Sequence, residues 1–170
     1  MVAKREKEHR AARQSGASKG SVRINHERIF DLISAKSEMI ERRGELIVAS
    51  FEKETWVIET SALLSEEAGQ LVFYSHFPVK IPRELQAEML ELLARVNLRL
   101  TSGNFDFNFA NGEISFRNDR LLDSSGCHDA QIDENLETMT RWFPAIASVF
   151  AGVYDPIEAI DTVLAAAAAA

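Results

Sequence analysis

Hydrophobic and polar positions change period several times along this chain, and each change marks an element. Over 26–43, Ile29, Leu32, Ile33, Met39 and Ile40 recur at spacings of three, four and seven. That spacing predicts a helix with Asn25 as N-cap, Glu27 in its first turn and Gly44 as its stop. The period then falls to two. Residues 45–51 are a short, mostly apolar β-type run. Beyond a turn at 52–54, Trp56, Ile58, Thr60, Ala62 and Leu64 alternate with Thr55, Val57, Glu59, Ser61 and Leu63. A third run, 71–77, follows a turn at 65–70. No connection between the three is long enough for a parallel crossover, so they predict an antiparallel meander.

Pro78 ends the third strand, and Pro82 stands where the first turn of a helix over 83–100 should begin. At about 100° per residue, Leu85, Met89, Leu92, Leu93, Val96 and Leu100 share one face of that helix. Ala87, Leu90, Ala94 and Leu98 form a second stripe on nearly the opposite side, with Glu88, Glu91, Arg95 and Arg99 along one flank. A helix that covers one core needs a single stripe. The second asks for another partner, and its two alanines permit close approach. The preferred reading is a helix that pairs with its copy in a homodimer; the alternative is that the domain's own strands or terminal helix cover both faces.

Phe105, Phe107 and Phe109 alternate with Asn104, Asp106 and Asn108 before Asn111-Gly112 and the run from Glu113 to Arg117. Read as a two-residue Asn-Gly hairpin turn, this sets Phe109 against Ile114, Phe107 against Phe116 and Asp106 against Arg117. A polar loop follows at 123–131. Asp133 should cap a helix running through Leu136, Met139, Trp142, Phe143, Ile146, Val149 and Phe150, kinked or split at Pro144. Asp155-Pro156 reads as the N-cap and first position of a short last helix, 157–164, ahead of six alanines.

Composition narrows the classes. Hydrophobic residues are 46% and charged residues 26% of the 170, a globular balance. The net charge of −7 is unevenly spread. Residues 1–23 hold Lys4, Arg5, Lys7, Arg10, Arg13, Lys19 and Arg23 against Glu6 and Glu8, a net of +5. The rest holds 12 basic and 24 acidic residues, a net of −12. Such a body repels phosphates and anionic membranes. The segment 1–22 reads as a disordered basic arm: either a solvated terminus or, in the alternative, a contact for nucleic acid, for which it lacks interleaved aromatics. One cysteine, Cys127, allows no internal disulfide and favours a reducing compartment. With no apolar run of signal or membrane-span length, the expected location is the cytoplasm.

Candidate chemistry is sparse. Cys127-His128-Asp129 is the one cluster that invites a metal or thiol reading, but consecutive side chains rarely converge on one ion and no second Cys/His pair completes a set of four. It reads as a polar surface loop. His76 alternates outward from Leu71, Phe73 and Phe77 as a solvated histidine. The serines lack a Gly-x-Ser-x-Gly context, and no glycine-rich loop opens a helix. No catalytic residue, cofactor or metal is expected.

The stretch from Leu92 to Asn97, Gly103-Asn104-Phe105-Asp106, the run from Asn111 to Arg117, and Asn135-Leu136 through Trp142-Phe143-Pro144 to the segment from Gly152 to Ile160 resemble the YbjN-type family of bacterial sensory transduction regulators. The resemblance implies a fold like that of type III secretion chaperones, commonly dimeric, and a non-catalytic regulatory or chaperone-like role through protein contacts. The expectation is therefore an α+β domain over 23–164: an antiparallel sheet of about five strands with helices against it, in the order α-β-β-β-α-β-β-α. The arm at 1–22 precedes it and the alanine tail at 165–170 follows. It should act as a homodimer through Ala87, Leu90, Ala94 and Leu98 and bind an unidentified protein partner, with nucleic acid a lesser alternative and no membrane contact.

Overall fold

The computed structural model describes residues 26–53, 56–65, 70–121 and 128–169. Its elements are α1 (His26–Ser34), β1 (Met39–Arg43), β2 (Leu46–Lys53), β3 (Trp56–Ser65), β4 (Gln70–His76), a 3-10 turn (Arg83–Leu85), α2 (Gln86–Asn97), β5 (Asn104–Asn108), β6 (Glu113–Leu121), α3 (His128–Phe150) and α4 (Pro156–Ala169). The fold is α+β. Six antiparallel strands lie in the order β1-β2-β3-β4-β6-β5, so the chain leaves β4, forms α2, returns on the outer edge as β5 and fills the gap with β6.

The sixth strand comes from the segment expected to prolong the first helix. Residues 26–43 divide: α1 stops at Ser34, and Met39–Arg43 pairs with Leu46–Ser50. Gly44, at φ 65°, supplies the hairpin turn rather than a helix stop. Ile29 and Ile33 bury the inner face of α1, whereas Met39 is 72% exposed on the strand. Arg42 crosses from β1 to Glu27 on α1 at 2.8 Å.

Burial alternates at period two in β2, β3 and β6. Ile47, Ala49 and Phe51 of β2, Ile58, Ala62 and Leu64 of β3, Leu71 and Phe73 of β4, Phe105 of β5, and Ile114 and Phe116 of β6 face the helices in one continuous apolar cluster. The helices answer with Ile29 and Ile33, Met89, Leu92, Leu93 and Val96, Met139, Trp142, Phe143 and Ile146, and Ala159, Ile160 and Val163. Phe77 meets Phe143 edge to face at 4.9 Å. Burying side chains of this size contributes about 1.5–3 kcal/mol each. This cluster carries the fold.

The β5–β6 hairpin keeps its faces but not its expected register. Phe105 opposes Phe116, Phe107 opposes Ile114, and Asn104 opposes Arg117, two residues away from a two-residue turn. The loop is four residues long, closed by the Gly112 N–H donating to the Asn108 carbonyl at 2.8 Å. Phe109, instead of facing Ile114, sits in that loop 70% exposed. Asp106 hydrogen-bonds with Asn104 and opposes Ser115; Arg117 pairs with Asp119 at 3.5 Å. The reason lies outside the hairpin. The Ile81 N–H donates to the Gly112 carbonyl at 2.8 Å, and a Cβ on Gly112 would stand 2.3 Å from the Ile81 oxygen. Docking on the Pro78–Pro82 segment fixes where the glycine must fall.

α3 begins at His128, five residues ahead of Asp133, and continues without a split through Pro144. Asp133 therefore does not cap it; its carboxylate binds Lys36 at 2.8 Å, fastening the turn after α1 to α3. Asp155 does cap α4: its Oδ1 accepts the N–H groups of Ile157 and Glu158 at 2.8 and 2.9 Å, with Pro156 at the first position. The last helix runs beyond 164 through the alanines to Ala169. The arm at 1–22, the Asn25 cap, Cys127 and most of the 123–131 loop lie outside the described residues.

Candidate functional site

Among the described residues two surfaces stand outside this core. The first is the outer face of α2. Met89, Leu92, Leu93 and Val96 are buried, while Ala87, Ala94 and Leu98 are exposed and Leu90 is half-buried. Leu98 is 85% exposed, the highest value among the large apolar side chains of the described residues. Ala87, Ala94 and Leu98 thus share an exposed face of the helix, with half-buried Leu90 at its margin. Arg95 lies along its flank, bound to Glu91 one turn earlier at 2.6 Å. The C-terminus of α2 is held by Asn97, whose amide bonds both backbone groups of Phe105 on the outer edge of β5.

The second surface is the sheet face away from the helices. Register builds it in rows: Leu46, Leu63 and Val72 across β2, β3 and β4; Val48, Ser61, Tyr74, Arg117 and Asn104 beside them; and Ser50, Glu59, His76, Ser115 and Asp106 next. Val57 and Leu63 are 56% and 39% exposed. At one end a cleft of about 620 Å³ opens between Val57, Glu59, His76, Pro78, Lys80 and Glu113. Lys80 reaches Glu113 at 3.0 Å. That hydrogen bond, then one from Asn111, holds the Glu113 carboxyl below its ordinary value, with the charges of Lys80 and His76 adding to the effect against desolvation.

Glu59, His76 and Ser115 stand directly opposite one another on three neighbouring strands. Sequence reading missed this row because the three come from separate strands and only strand order makes them neighbours. No hydrogen bond or ion pair joins them among the described residues, whereas activating a serine requires the base within hydrogen-bond reach. His76 lines the cleft half-buried rather than standing free in solvent. Among the described residues no group of three or more His, Cys, Asp or Glu could hold a metal ion, and no helix is long and apolar enough to cross a membrane.

Residues 57–146, more than half of the chain, match the YbjN family, described as "Putative bacterial sensory transduction regulator". The match runs from β3 into α3 and contains α2, the cleft and the hairpin. Among solved structures, a chain in the crystal structure of the ExsC-ExsE complex is similar, with 13% identity, a TM-score of 0.48, and coverage of 69% of this chain and 90% of that one. No protein of curated function matches the chain.

Proposed function

The chain belongs to the YbjN family, and from that premise we propose that it is a non-catalytic protein-binding module with a regulatory or chaperone-like role, working as a homodimer. The observation that carries the reading is the uncovered stripe on α2. Ala87, Leu90, Ala94 and Leu98 follow one another at spacings of three, four and four, the repeat of a helix–helix seam. A two-fold axis perpendicular to α2 makes the paired helices antiparallel. Ala87 then meets Leu98 of the partner subunit and Leu90 meets Ala94 of the partner subunit, large against small. The same axis brings Glu91 toward Arg95 of the partner subunit. Sedimentation velocity tests the arrangement: the parent chain should run as a dimer and Leu90→Glu as a folded monomer. A monomeric parent, or a variant that still dimerises, rejects it.

The open sheet face is the proposed place for a different polypeptide. Val57 and Leu63, with half-buried Tyr74, offer apolar area beside the polar cleft, whereas Asn97 already occupies the outer edge of β5 at Phe105. Leu63→Glu should abolish capture of a partner from extract of the native host and leave sedimentation unchanged. Equal capture by parent and variant would move the partner elsewhere.

A further inference from the structure

Among the described residues five polar side chains are buried, and all five fall on one seam between the sheet and α3. Thr60, Ser75 and Asn118 point to the helix side from β3, β4 and β6, and Gln131 and Asn135 lie one turn apart on α3; none is more than 4% exposed. Part of the seam closes on itself. The Thr60 and Ser75 hydroxyls are 2.9 Å apart, and Asn135 Nδ2 donates to Ser75 Oγ. Four atoms of the seam have no partner among the described residues: Asn118 Nδ2, Gln131 Nε2, Gln131 Oε1 and Asn135 Oδ1.

Direction places these residues at one level of the seam. α3 runs the same way as β4, with Asn135 at Ser75 and, further along, Phe143 at Phe77. One turn before Asn135, Gln131 therefore lies over the level of Phe73 and Asn118, which oppose each other across β4 and β6. A buried amide group left unpaired costs about 1–3 kcal/mol, and folded proteins satisfy such groups with protein or with ordered water. The four orphans are two donor groups and two acceptors on uncharged side chains. An anion would face two carbonyl oxygens, and a cation two amide nitrogens. Water, which donates twice and accepts twice, matches the set.

We propose that this seam is an internal hydration site, at which buried water bridges Asn118, Gln131 and Asn135 and completes the junction of α3 with the sheet. Oxygen-17 magnetic relaxation dispersion on the full chain tests it. The parent should carry a long-lived water component that tumbles with the protein, and Asn118→Leu/Gln131→Leu should lose at least one water from it. A high-resolution crystal structure of the parent keeps the test decisive should that variant not fold: density should stand within hydrogen-bond distance of the four atoms. A parent without long-lived water, a folded variant that retains all of it, or four atoms bonded to protein groups such as those of residues 122–127 would each overturn the site.

Discussion

The side-chain amide of Asn97 clasps both backbone groups of Phe105: its Nδ2 donates to the Phe105 carbonyl at 3.0 Å, and its Oδ1 accepts the Phe105 N–H at 2.7 Å. β5 is an edge strand, and unpaired edges recruit other chains. One asparagine at the end of α2 stands in for a missing neighbour strand. Asn97→Leu should cost about 1–2 kcal/mol in urea denaturation and speed hydrogen exchange at the Phe105 amide. Unchanged exchange there would show that the clasp contributes nothing.

Gly112 and Gly44 both sit at positive φ, 75° and 65°, yet their surroundings differ. A Cβ at Gly112 would press on Ile81 backbone at 2.3 Å, while at Gly44 nothing lies within 4 Å. Gly44→Ala should therefore cost about 1–2 kcal/mol, the strain of a left-handed alanine alone. Gly112→Ala should cost more, because the β5–β6 loop must also part from the Pro78–Pro82 segment. Thermal denaturation of the pair ranks them; equal losses would contradict the close approach.

Ala94 is exposed on the outer face of α2, so enlarging it leaves the subunit's own core untouched. Ala94→Leu should keep the circular dichroism and melting of the isolated subunit and weaken dimerisation by roughly tenfold or more, since overpacking costs about 1–3 kcal/mol. A dimer of unchanged affinity would place the seam on another face.

The Lys80–Glu113 contact predicts a pH dependence with a fixed sign. The carboxyl is depressed in the folded chain from an ordinary value of 4.5, chiefly by the Lys80 hydrogen bond. Its contribution to stability is therefore complete above that value and disappears as pH falls through the folded one. Glu113→Gln should be less stable than the parent at neutral pH, with the gap closing in acid. Urea titrations at several pH values check this; a gap that widens in acid would reverse the sign.

Much of this architecture was readable because single faces dominate. Ile58, Thr60, Ala62 and Leu64 fall at period two on one side of β3, and Met89, Leu92, Leu93 and Val96 crowd one side of α2. β1 was hidden for the opposite reason. Its inward positions are Ile40 and Arg42, one apolar and one spent on Glu27, so no alternation is visible, and the spacing from Ile33 to Ile40 imitates a helix. The hairpin register was lost because Asn-Gly is a strong local turn signal, while the bond from Ile81 that displaces it crosses 31 positions. The exposed stripe on α2 could be read from one segment. The row of Glu59, His76 and Ser115 could not, since it exists only once β3, β4 and β6 are ordered side by side.

Strand order has a consequence for biosynthesis. β1 to β4 are linked by short hairpin connections and can assemble as soon as they leave the ribosome, but the neighbour of β4 is β6, which emerges only after α2 and β5. Through that interval the Leu71–Phe73 margin is an open flank on a nascent polypeptide, the kind of surface that captures stray chains. Closure waits for residues 113–121, so a pause in translation ahead of them prolongs the period of greatest vulnerability.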